Sequence, residues 1–226
     1  MKVRFSKIGR IVGFKNMRRV RQTNKASQIF ISLIIFLMAV ISPYGQDTNL
    51  PPDSVKISGV YYQIKPPWLG KRIGTEENPI PDNLSMIPRQ YAYDSCRIFV
   101  TTETKTAFVS MVERANKDGI FFKIKSGFRS YPYQRQIFAA RMAKGRSFDQ
   151  VCRNVAPPGF SEHMQGTAMD LAADTVPFAY SDAYKWLKAN AHNYGFVESY
   201  PEDMKDGFSW EAWHWNYVGG AKDTIE

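Results

Sequence analysis

Ile120-Phe121-Phe122-Lys123-Ile124-Lys125-Ser126-Gly127-Phe128-Arg129-Ser130 is the stretch where the chain passes from helical to extended character. Ahead of it, Thr104 to Asp118 sets Ala107, Phe108, Met111, Val112 and Ala115 at spacings of one, three and four, the stripe of an amphipathic helix, and Gly119 ends it. Ile120 to Ile124 reads as a strand, which leaves Ser126-Gly127-Phe128-Arg129-Ser130 at a strand end. Behind it a second helix is predicted from about Tyr133 to Lys144, stopped by Gly145. A third starts at Ser181, a suitable N-cap, and runs through Ala183, Trp186, Leu187 and Ala191 to Gly195. Phe196 to Tyr200 and Trp210 to Tyr217 read as closing strands. Helices flanking short strands predict an α+β fold, and 226 residues with 44% hydrophobics suffice for one domain with a sizeable core.

The two ends of the chain differ from this centre. Residues 1–45 hold nine of the thirty Lys and Arg and no Asp or Glu, so the formal charge of +9 belongs to that segment; the remainder carries 21 basic and 21 acidic residues. A nucleic-acid reading of the charge therefore fails. The basic stretch precedes an apolar run, Ile29 to Ile41, interrupted by Ser32 and followed by Pro43 and Gly45. This is the pattern of a secretion signal, and the run is shorter than the about 20 residues that a membrane span needs. We expect residues 1–45 to be a signal peptide or an N-terminal membrane anchor, with Met17 an alternative start, and the protein to be exported to the periplasm or cell envelope. Residues 46–80, rich in Pro, Gly and polar residues, are expected to be a linker and irregular wrap, with an outlying strand within Ser58 to Ile64. Residues 81–226 are expected to form the functional domain. Cys96 and Cys152 lie in the exported part, where they could pair as a disulfide or remain free thiols.

The chain has three histidines. His163 stands in Ser161-Glu162-His163-Met164-Gln165-Gly166-Thr167-Ala168-Met169-Asp170, and His214 in Trp210-Glu211-Ala212-Trp213-His214. Catalytic zinc usually takes three protein ligands and keeps a fourth position for water, a need that two His and one carboxylate meet. A turn at Gly166 would bring His163 and Asp170 onto one ion. Glu211, three residues before His214, would share its side of the chain on a bend and diverge from it on a strand; on a bend it could serve as the base. Arg129 at a strand end suits an oxyanion. Each residue also has a plainer explanation: a His beside Gly is commonly a turn or surface residue, Arg129 could pair with any surface carboxylate, and Asp170 could merely end a strand. His192, within the third helix, reads as packing or surface.

The order of the segments adds what spacing does not. Ser126-Gly127-Phe128-Arg129-Ser130 with Gln134, then Pro157-Pro158-Gly159-Phe160-Ser161-Glu162-His163 with Gly166, Ala168 and Asp170, then Glu211-Ala212-Trp213-His214 with Tyr217-Val218-Gly219, resemble the VanY-type D-alanyl-D-alanine carboxypeptidase family over roughly residues 81–220. The resemblance implies a Hedgehog/DD-peptidase-like fold with a central antiparallel sheet flanked by helices. It implies one Zn2+ held by His163, Asp170 and His214, with Glu211 as general base and Arg129 stabilising substrate and transition state. Ser130, Gln134 and Ser161 would line the substrate pocket. Phe128 stands where Tyr is usual, Met164 where Gln is frequent, and Asn216 where Arg is frequent, differences that bear on substrate preference. The expected activity is hydrolysis of the terminal bond of peptidoglycan stem peptides by a monomer, with L,D-carboxypeptidase or endopeptidase action as neighbouring readings and non-catalytic peptidoglycan binding as a rival one. No nucleic-acid partner is expected, and membrane contact only through the first segment.

Overall fold

The helical stripe and the strand that follows it fold as a pair, joined through a closed helix terminus. The computed structural model describes residues 53–173 and 177–220, which belong to one compact unit. Helix α1, Thr102–Lys117, begins two residues before the apolar stripe requires, because the Thr101 side chain accepts a hydrogen bond from the Thr104 amide at 3.3 Å. Its end is closed by the Ile120 amide, which donates back to Ala115 O. That bond consumes Ile120, so strand β1 of the central sheet runs Lys123–Ser126 rather than from Ile120, and Phe121 is left exposed.

The sheet has four antiparallel strands. After β1 come β2 (Ala168–Ala172), β3 (Phe196–Glu198) and β4 (His214–Tyr217), in the spatial order β1-β2-β4-β3. Ile124, Met169, Leu171, Trp215 and Phe196 turn one face of the sheet toward α1 and helix α2, Asp182–Asn190, and bury with Phe108, Met111 and Leu187 in the first core cluster. A period of two then sends Asp170 to the opposite face. Ser181 caps α2 as expected, accepting from the Tyr184 amide at 3.1 Å.

A second core lies under helices α3 (Tyr131–Met142) and α4 (Phe148–Cys152). Its apolar side chains are Phe138, Phe148, Val151, Val155 and Phe160 from this part of the chain, and Val55, Ile57, Ile64 and Trp68 from residues 53–68. The stretch expected as linker and irregular wrap thus carries a two-stranded hairpin, Ser54–Ile57 with Val60–Gln63, and fills a core. Pro and Gly there punctuate a packed segment. Three further elements were not foreseen: α4, held by a Ser147–Gln150 capping box but too short to show a period; central strand β2; and the pairing of Leu84–Met86 with Phe99–Thr101. Cys96 and Cys152 are free. His192 is exposed in the turn after α2. Among the described residues no helix is long and apolar enough to cross a membrane; the run Ile29 to Ile41 lies outside them.

Candidate metal centre

Register decides the geometry of the site. On central strand β2, Asp170 faces Ser126 of β1 on one side and His214 of β4 on the other. His163 reaches the same point from a tight turn, Glu162–Gln165, that ends at Gly166 with φ +73°. A β-carbon at Gly166 would meet Leu84 Cδ2 at 3.0 Å and Thr101 Cγ2 at 3.2 Å, so a larger residue would strain the left-handed turn and would also need those side chains to shift. The expected turn at Gly166 is therefore present. Glu211 and His214 sit on the bend their spacing required: the His214 amide donates to Glu211 O at 2.8 Å before the chain enters β4.

Each imidazole has its outer nitrogen fixed by an acceptor. His163 Nδ1 lies 2.7 Å from Gly127 O, a carbonyl that can only accept, so Nδ1 carries the proton and Nε2 turns inward, 3.3 Å from Asp170 Oδ1. His214 Nε2 lies 2.9 Å from Glu162 Oε2, which leaves Nδ1 inward, 3.1 Å from Asp170 Oδ1 and 3.8 Å from Glu211 Oε2. His163 and His214 are 3% and 4% exposed. Buried lone pairs directed at a carboxylate repel unless a cation or a proton stands between them, and the three side chains offer ligand atoms within 4.8 Å of one another. Two neutral imidazoles and one carboxylate, with their outer positions already hydrogen-bonded, form a donor set that fits a divalent metal ion.

The titration properties agree with this crowding. Burial works to lower His214, but Asp170 and Glu162 outweigh it and raise its pKa to about 9 in the metal-free protein. Burial dominates at His163 and lowers it, against the pull of Asp170. Burial opposes ionisation of Asp170, yet His163 and His214 together hold it well below the usual carboxylate range. Burial raises Glu211, with Asp170 and Glu162 adding to the rise against His214 and Arg129. A carboxyl raised in this way beside a metal set has the properties of a general base.

The centre lies in a cleft of about 290 Å³ between the sheet and α3. Of the residues expected to line it, Gln134 and Ser161 do so and are buried. Arg129 lines it as well, donating from Nε to Ser126 Oγ at 2.9 Å and from its terminal nitrogen to Asp170 Oδ2. Ser130 does not: its hydroxyl accepts from the Tyr133 amide as the N-cap of α3, and it borders a separate hollow beside Pro79 and Met164. That cap, with Pro132 in the first turn, starts the helix at Tyr131 instead of Tyr133. Glu162 escaped sequence reading. The available signal was a carboxylate directly preceding His163, but its contact is with His214, 52 positions away, and Ser199 Oγ donates to it at 2.6 Å.

Comparison with known proteins gives a consistent result. The family model described as VanY, D-alanyl-D-alanine carboxypeptidase, matches residues 97–220. A D-alanyl-D-alanine carboxypeptidase of Enterococcus faecalis (strain ATCC 700802 / V583) is 34% identical over 119 residues, 48% of this chain and 44% of that protein. One of Enterococcus faecium is 31% identical over 138 residues, 60% of this chain and 43% of that protein. The chain thus spans under half the length of each of these relatives. A solved structure of the LdcB LD-carboxypeptidase superposes with a TM-score of 0.60 at 27% identity, covering 75% of this chain and 85% of that one.

Proposed function

The chain belongs to the VanY family of D-alanyl-D-alanine carboxypeptidases, and on that footing we propose that it is a zinc-dependent carboxypeptidase that hydrolyses the terminal D-alanyl-D-alanine bond of peptidoglycan stem peptides. The observation that carries this reading is the convergence of two proton-fixed imidazoles and Asp170 on one point with a carboxyl of raised pKa, Glu211, beside it. His163, Asp170 and His214 would hold Zn2+, which suits N and O donors and keeps an open position in catalytic sites. When bound, the ion polarises the scissile carbonyl and makes water a stronger acid. Glu211 accepts a proton from the attacking water and delivers it to the departing amine. Arg129 supplies a charged donor for the developing oxyanion, its Nε steadied by Ser126. Gln134 and Ser161 present polar atoms to the peptide from the cleft wall. The basic and apolar leader of residues 1–45 supports export to the cell envelope, where such stems are found.

The test uses the purified full-length chain with zinc and a synthetic pentapeptide stem. We expect release of D-alanine, and expect Glu211→Gln to retain the metal while losing about 10²- to 10⁴-fold in rate. An unchanged rate in that variant overturns the assignment of the base. Similarity to the LdcB LD-carboxypeptidase favours a second reading, removal of the last residue of a tetrapeptide. Mass spectrometry of the products from tripeptide, tetrapeptide and pentapeptide stems separates the two.

A further inference from the structure

Arg129 is paired with Asp170, but a second guanidinium in the same cleft has no such partner. Arg141 lines the cleft from the last turn of α3, and among the described residues its side chain has neither an ion pair nor a hydrogen bond. An arginine half-buried in a cleft and not paired with any of its carboxylates is poised to take one from a ligand, in the bidentate manner its planar fork favours. A second polar group on the same helix is also unanswered. Gln134 is 1% exposed, its Nε2 donates to Ala156 O at 2.8 Å, and its Oε1 is buried with no partner. The Nε2 bond settles which way the amide faces, so Oε1 is an unanswered acceptor within the wall of the cleft.

Gln134 and Arg141 are seven residues apart on α3, so they share a helical face about 10 Å from one another. An extended peptide covers that length in about three residues. Arg129 and Ser126, which adjoin Asp170, lie at the N-terminal end of α3, so Arg141 is at the end of the cleft remote from the chemistry. A carboxypeptidase needs room for one residue beyond the cut. A group farther along the cleft than that one residue therefore belongs to the part of the peptide that is retained.

We propose that Arg141 is a specificity residue that binds a free carboxylate carried two or three residues before the cleaved bond, so that the protein prefers stems acidic at that place over stems in which the carboxylate is amidated. This rests on the carboxypeptidase reading above. Full-length, zinc-loaded wild type, R141A and R141K are compared on pentapeptide stems that are identical except for amidation of the carboxylate at the second residue, at the third residue, or at the C-terminus. Binding of each peptide is also titrated by the fluorescence of Trp68 and Trp213, which line the cleft.

Amidating one internal carboxylate is expected to lower wild-type kcat/KM by about 10- to 100-fold, chiefly through KM, the worth of one charge-assisted pair. R141A loses that preference and R141K recovers part of it. The same loss in R141A on acidic and amidated stems, or no loss, overturns the proposal, as does a preference in R141A that disappears only for the C-terminal amide. If wild type cleaves no stem yet binds the acidic one more tightly in an Arg141-dependent way, the carboxypeptidase reading falls and Arg141 keeps its role. Binding indifferent to amidation removes that role whether or not cleavage occurs.

Discussion

Asp170 is the residue on which the others depend, since both inward imidazole nitrogens and Arg129 meet its carboxylate. In the metal-free protein His214 then behaves as a proton-holding site. Its folded pKa of about 9 stands above the about 6.5 of a free imidazole, so its stabilising contribution is complete below pH 6.5 and is lost as pH rises toward 9. With a chelator present, the melting temperature is expected to fall across that window, and added zinc, which takes the place of the proton, is expected to abolish the fall. A melting temperature flat from pH 6.5 to 9 without metal contradicts this account. Asp170 acts in the opposite sense, contributing above its unfolded value near pH 4 and losing that contribution as pH falls further. Glu162 fixes the outer nitrogen of His214. Glu162→Gln should weaken zinc binding by about 10- to 100-fold in chelator competition while the fold persists; an unaltered affinity would show that the contact does not steady the ligand.

At the scale of elements, the site is assembled by turns and caps more than by the elements themselves. Gly127 gives its carbonyl to His163, and a β-carbon there would stand 2.4 Å from Phe99 O, so the loop after β1 lies flat against the Phe99–Thr101 strand. That contact sets the height at which His163 meets the sheet. The family resemblance implies Ser130 as a pocket residue and not as a helix cap, because capping depends on where α3 begins. Ser130→Ala should cost about 1 kcal/mol in urea denaturation and leave KM for the pentapeptide within about twofold. A large KM change at unaltered stability would return Ser130 to the pocket. Periodicity revealed α1 and α2 because their buried stripes repeat over several turns. Strand β2 escaped it because Asp170, a charged residue, stands at its centre.

At the scale of the whole molecule, two cores hold the cleft between them. One backs the sheet, and the other, under α3 and α4, is completed by Val55, Ile57, Ile64 and Trp68. Trp68 also lines the cleft, and its Nε1 donates to Cys152 O at 2.8 Å. A chain beginning at residue 81 should therefore lose cooperative unfolding of α3, read by hydrogen exchange, and Phe138→Ala in the full chain should cost about 3–5 kcal/mol. Unchanged protection of α3 in the shortened chain would show that residues 53–68 only cover the core. Residues alone gave away the α+β class, the basic segment 1–45 that accounts for the net charge, and the chemistry of the ligand candidates, because helical stripes, charge placement and rare histidines are local properties. Which carboxylate orients His214, that Ser130 caps a helix and that residues 53–68 fill a core were decided only in three dimensions. The first and last of these depend on contacts across 52 or more positions and on register between strands, where one residue of slip turns every side chain to the other face, and the cap depends on where the packed helix begins.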